Sequence, residues 1–190
     1  MNRREALSRV ALIFGGTIVG AEAFLTGCRN SSMPAETLTF SPDVISLLDE
    51  VGETILPTTA SSPGAKAAAI GEFMKVIVTD CYEEKDQQIF MEGIGKLNEA
   101  ADKKFGKDFM DLSAEEKHDL LVEIDAEAKA YSESKGSEDP NHYFTLMKQL
   151  TLWGYFTSEV GATKALRYVP VPGRYEGCIE YKKGEKAWAL

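Results

Sequence analysis

Between Ser41 and Thr157 apolar residues return every three or four positions, and no stretch alternates with the period of two that a half-buried strand shows. A chain patterned this way can bury its apolar surface only by packing helix on helix. Local signals set the boundaries. Ser41-Pro42-Asp43 reads as a helix start, with Ser at the N-cap, Pro at the first helical position and an acid in the first turn. Val44, Leu47, Leu48, Val51 and Ile55 then share one face, and Pro57 ends the run. After a loop over 58–64, a second helix is predicted from near Ala65, with Ile70, Phe73, Met74, Ile77 and Cys81 on its core side. A third runs from Glu84 to Phe105 through Phe90, Ile94, Leu97 and Ala101, with Gly93 and Gly95 marking either close packing or a bend. Ser113-Ala-Glu-Glu116 has the capping-box pattern and opens a fourth helix, predicted to bury Leu120, Leu121, Ile124, Ala128 and Tyr131. A loop covers 132–140. Asn141 is placed to cap a fifth helix with Phe144, Met147, Leu150, Thr151 and Gly154 on one face. The expectation is an all-α fold, an irregular bundle of five or six helices forming one domain over residues 41–190.

The end of the chain departs from this pattern. Half of the aromatic residues, both tryptophans among them, lie between Tyr143 and Trp188. Pro170, Pro172, Gly173, Gly177 and Gly184 exclude a helix beyond Tyr168, so an extended, aromatic tail is predicted. Aromatic rings on such a tail need cover, either from the helices of the same chain or from a partner. Trp153, Tyr155, Phe156, Tyr168, Tyr175 and Trp188 are the candidate interface residues.

The beginning reads as an address. Arg3-Arg4 precedes an apolar stretch from Val10 to Leu25 that is short and interrupted by glycines. The pair resembles a twin-arginine export signal. Leu25-Thr26-Gly27-Cys28 resembles a bacterial lipobox, in which the cysteine is acylated and becomes the new N-terminus. Residues 1–27 are thus expected to be a signal peptide and 28–40 a lipidated tether. The mature protein is expected at the periplasmic side of a membrane, held by acyl chains on Cys28.

Chemistry is sparse. The chain has 190 residues and a formal net charge of −9, the wrong sign for meeting phosphate backbones, so nucleic acid is not an expected partner. With three cysteines and two histidines there is no CxxC, CxxCH or HExxH pattern. Glu115-x-x-His118 has the spacing used by di-iron carboxylate bundles, but such a site needs two of these motifs and further glutamates. A solvated helix face accounts for it better. Ser158 has no histidine nearby in sequence and reads as the N-cap of a short helix over 159–166. Gly93-Ile94-Gly95 lacks the third glycine and the preceding strand of a dinucleotide site. Cys81 and Cys178 are either free thiols or a disulfide, and spacing does not choose between them. No catalytic, cofactor or metal residue is assigned.

Two blocks carry a family likeness. Leu48-Asp-Glu-Val-Gly-Glu-Thr-Ile-Leu-Pro-Thr-Thr59, followed by Pro63-Gly-Ala-Lys66 and Gly71-Glu-Phe73, resembles the opening of the gluconate 2-dehydrogenase subunit 3 family. Gly154-Tyr-Phe-Thr-Ser-Glu159, Gly161, Tyr168 and Pro172-Gly173 resemble its closing half. The resemblance implies a non-catalytic small subunit. Its partner would be a large flavoprotein of the glucose–methanol–choline type that carries FAD and oxidises a sugar, sugar acid or alcohol. A cytochrome c bearing haem c is often a third member. The small subunit is expected to carry the export signal and to aid maturation of the large one. The competing expectation is a stand-alone lipoprotein enzyme or small-ligand binder, using the acidic helix faces or the Ser158 region.

Overall fold

Ser41 caps the first helix as its sequence requires. Its Oγ accepts the Val44 N–H at 3.3 Å, and α1 runs Pro42–Ile55. The computed structural model describes residues 39–171, 173–174 and 177–189. Arg3, Arg4 and Cys28, on which the address rests, lie outside the described residues, as does Tyr175. After a 3₁₀ turn at Ala65–Ala68, α2 covers Ile70–Cys81 and α3 covers Glu84–Phe105. A second 3₁₀ turn, Phe109–Asp111, leads to α4, Ala114–Ser134, and then α5, Tyr143–Thr157. A π-helical turn follows at Gly161–Ala165. Among the described residues there is no strand, only one isolated parallel bridge between Arg167 and Trp188. The fold is all-α, an irregular bundle, as the periodicity predicts.

The bundle is organised around α5, which packs against each of the other four helices. The periodicity predicts one apolar face for this helix, but α5 is buried over more than one. Tyr143, Phe144, Leu146, Met147, Leu150, Thr151, Gly154 and Tyr155 are all buried. A helix apolar round most of its circumference is stable only at the centre of a packed unit. Thr151 satisfies its buried hydroxyl locally, donating to Met147 O at 2.8 Å. The core around α5 is closed by Leu48 and Val51 of α1, Ile70, Met74 and Val78 of α2, Phe90 and Leu97 of α3, and Leu120 and Ile124 of α4. Ser113 and Glu116 form the expected capping box, Ser113 N–H donating to Glu116 Oε2 at 2.8 Å and Glu116 N–H to Ser113 Oγ at 3.3 Å.

Gly93 marks close packing rather than a bend. A Cβ there would sit 2.5 Å from that of Tyr143, so the missing side chain is what lets α3 reach the first residue of α5. Gly95 faces open space.

Four expectations need correction. The second helix starts at Ile70, not at Ala65, because Ala69 turns into the left-handed region at φ 51° and separates the 3₁₀ turn from α2. Cys81 is exposed. It lies at the right angle round the helix, but it is the last residue of α2, where the chain turns away and Gln87 Nε2 donates to the carbonyls of Val78, Thr79 and Tyr82. Tyr131 lies near the end of α4 and is exposed, its hydroxyl donating to Pro140 O at 3.2 Å. The cap of α5 is His142 rather than Asn141. Its Nδ1 accepts the Phe144 N–H at 3.2 Å.

Candidate interaction surface

The outer face of α5 carries an apolar stripe. Leu152, Trp153 and Phe156 form it, and the polar but uncharged Gln149 continues the same face at i, with the three at i+3, i+4 and i+7; all four are exposed. Trp153 is 54% exposed. The neighbouring helix α2 adds exposed Val76 to the apolar surface of the bundle. Phe73 of α2 packs edge-on to Trp153, with ring centroids 5.5 Å apart at 87°. Gly154 makes room for it, since a Cβ there would lie 2.5 Å from the Phe73 ring. From Gln149 to Ser158 there is no charged residue. Trp153 is thus held at one edge and open on the rest, as an anchor for another surface would be.

Beneath this stripe a polar clamp joins the two blocks of the family likeness. The Glu53 carboxylate accepts Thr58 N–H at 2.8 Å and Thr58 Oγ1 at 2.7 Å through one oxygen, and Lys66 N–H at 2.9 Å through the other. Burial pushes the Glu53 pKa up, but these hydrogen bonds outweigh it and the carboxyl sits below its ordinary value. Gly64 is buried against this carboxylate, where a Cβ would collide with it. Tyr155 then reaches across from α5, its hydroxyl donating to Pro63 O at 2.5 Å. Ser158 closes the helix: its Oγ donates to Tyr155 O at 2.7 Å and accepts the Gly161 N–H at 3.0 Å. That hydroxyl is engaged as a cap, the role its sequence position predicts.

A second polar centre lies at the α1–α4 contact. Lys117 is only 7% exposed. Its Nζ lies 2.9 Å from Glu50 Oε1 and 5.8 Å from the centroid of the Phe109 ring, while Lys66 Nζ meets the other Glu50 oxygen at 2.7 Å. Hydrogen bonds from Lys66 and Lys117 hold the Glu50 carboxyl below its usual range. Sequence reasoning missed this cluster, because Lys117 looks like any other charge on a polar helix face.

A cleft of about 550 Å³ lies between α3, α4 and the start of α5, lined in part by Lys96, Glu99, Lys103, Glu127, His142 and Tyr143. Burial, then the nearby Lys96, lowers the His142 pKa against the opposing pull of Glu127. Burial and Glu127 push Tyr143 up to about 12. His142 is occupied in capping α5, its Nδ1 accepting the Phe144 N–H, and among the described residues it pairs with no nucleophile. On the outer face of α4, His118 Nδ1 lies 3.6 Å from Asp119, and among the described residues no group of three or more His, Cys, Asp or Glu could hold a metal ion.

The candidate interface residues therefore separate. Trp153, Phe156, Tyr168 and Trp188 are exposed. Tyr155 is 3% exposed and cannot meet a partner: it belongs to the clamp, because α5 turns that side toward the loop before Gly64. Cys81 and Cys178 are exposed free thiols in the structure. Leu152 was missed, though its place in the i, i+3, i+4, i+7 stripe was legible. The tail has no helix among its described residues but is pinned at its root. Arg167 N–H donates to Ala187 O at 2.8 Å, Ala189 N–H donates to Arg167 O at 2.9 Å, and the Arg167 guanidinium lies 4.4 Å from the Trp188 ring centroid.

Residues 42–173 match the family model described as gluconate 2-dehydrogenase subunit 3. No curated protein and no solved structure matches the chain significantly. The chain belongs to the gluconate 2-dehydrogenase subunit 3 family, and so to the accessory subunits of dehydrogenase complexes.

Proposed function

We propose that this chain is the non-catalytic accessory subunit of an exported, membrane-attached, FAD-dependent dehydrogenase acting on a sugar, sugar acid or alcohol, and that it docks on the flavoprotein subunit through the outer stripe of α5. The observation that carries the docking reading is the uncharged run Gln149–Ser158 with Leu152, Trp153 and Phe156 exposed on it. Interface cores are depleted in charge and enriched in aromatic residues. The clamp below fixes the stripe on a rigid helix, so little ordering entropy is lost on docking. Arg3 and Arg4 would direct export of the pair, and Cys28 would anchor it. The FAD belongs to the flavoprotein, and haem c to a cytochrome subunit where one is present.

The test is co-purification with the flavoprotein. Trp153→Ala with Phe156→Ala is expected to weaken the complex at least tenfold, since each hot-spot ring contributes about 2 kcal/mol or more, while the isolated subunit still unfolds cooperatively near the wild-type temperature. A double variant that retains its partner in full would overturn the docking surface. Export and anchoring are tested separately, by Arg3→Lys with Arg4→Lys and by Cys28→Ser, each followed by cell fractionation.

A further inference from the structure

The described residues expose two apolar surfaces of unlike charge. One is the uncharged stripe of α5. The other is the strap after Arg167, where Val171 is 81% exposed and Tyr181 84%, with Ile179 also exposed. From residue 164 onward the chain has six Lys or Arg against three Glu, whereas over 39–163 acidic residues outnumber basic ones about two to one. One of the three acids, Glu185, is taken up by Arg167 at 3.1 Å. Tyr181 is followed directly by Lys182 and Lys183, both exposed and without an ion pair among the described residues. The strap turns there: Glu185 N–H donates to Lys182 O at 3.2 Å, and Gly184 takes φ 91°, a conformation L side chains rarely adopt. With its root pinned by Arg167 and Trp188, the strap holds Ile179, Tyr181, Lys182 and Lys183 at an outer corner.

We infer that this corner is a contact for an anionic lipid bilayer surface. Tyrosine rests at the headgroup level, an isolated Ile dips beneath it, and lysine keeps its ammonium among the lipid phosphates. A protein interface would select against Lys at its centre, and the α5 stripe shows the composition that such an interface uses. Glu180, between Ile179 and Tyr181, leaves the corner one net positive charge from Lys182 and Lys183, and salt screens acidic residues of the helices that lie more than about 10 Å away. The family match ends at residue 173, so this corner lies outside the part shared with the family. The inference does not depend on acylation of Cys28. If that anchor is present, the strap supplies the second signal that turns one attachment point into a fixed orientation on the membrane.

The experiment uses the expected mature chain, residues 28–190 with Cys28→Ser, so that neither the apolar stretch before residue 28 nor an acyl chain contributes, and measures co-sedimentation with vesicles of phosphatidylcholine alone or mixed with phosphatidylglycerol. Binding is expected to rise when phosphatidylglycerol is added and to fall with salt. Adding Lys182→Glu, Lys183→Glu and Tyr181→Ala in the same background should weaken binding to the mixed vesicles about tenfold or more. These side chains are exposed, so the circular dichroism and the unfolding temperature should not move. A strap variant that binds the mixed vesicles as its parent does would overturn the inference. So would one that keeps vesicle binding but loses the flavoprotein, which would make the corner a protein contact. The α5 docking surface is judged by its own variant, so the two readings fail separately.

Discussion

The hydroxyl of Tyr155 donates to the carbonyl oxygen of Pro63 at 2.5 Å, joining residues 92 positions apart in the chain. This bond ties the Pro63-Gly64 loop, which Glu53 organises, to the central helix α5. Those are the two segments that carry the family likeness, so the likeness records a clamp. Tyr155→Phe keeps the ring and removes the donor. The expected cost is about 1 kcal/mol, read as a fall of about 2–4 °C in unfolding temperature for a domain of this size. Binding to the proposed flavoprotein partner should be unchanged, because Tyr155 does not reach the surface.

Two glycines of α3 should respond in opposite directions. Gly93→Ala places a methyl against the Tyr143 Cβ, and the overpacking is expected to cost about 1–3 kcal/mol. Gly95→Ala meets nothing within 4 Å and should stabilise the helix by up to about 1 kcal/mol. Thermal unfolding of the two single variants is the measurement.

Lys117→Met should destabilise by about 2 kcal/mol, since it removes a charge-assisted hydrogen bond to Glu50 from a mostly buried position. Glu50 retains Lys66, which limits the loss. Pairing Lys117→Met with Glu50→Gln should cost less than the two single changes added together, and a double-mutant cycle in denaturant would measure that coupling.

The Glu50 carboxyl, held low by Lys66 and then Lys117, binds its proton more readily in the unfolded chain. Its contribution is fully present above about pH 4.5 and is lost as pH falls through the lower folded value. Glu50→Gln should flatten the stability profile in that acid range.

His142 acts in a higher window. Its Nδ1 must be unprotonated to accept the Phe144 N–H, and burial followed by Lys96 holds its pKa below the ordinary 6.5. The unfolded chain therefore takes up the proton first as pH drops. Stability from this group is complete above pH 6.5 and declines below it. His142→Asn can keep a cap without titrating. Its stability should vary less than that of the wild type across that interval, as followed by chemical denaturation at several pH values.

What the sequence determined by itself was whatever one or two helical turns decide. Ser41 before Pro42, the Ser113–Glu116 box and the Ser158 cap are interactions between residues three apart, so their spacing was enough to place them. The all-α class followed from the repeat of apolar positions, and the outer stripe of α5 was present in the same repeat. The tertiary structure alone decided what each face meets. Periodicity gives Cys81 and Tyr155 an angle about a helix axis. It does not say that α2 ends at Cys81 and leaves it in solvent, or that the loop before Gly64 covers Tyr155. Lys117 became a buried partner of Glu50 only because α4 crosses α1 at that height, 67 residues away in the chain. Burial depends on which element lies opposite, and that is set by the packing of segments whose separation along the chain carries no local signal.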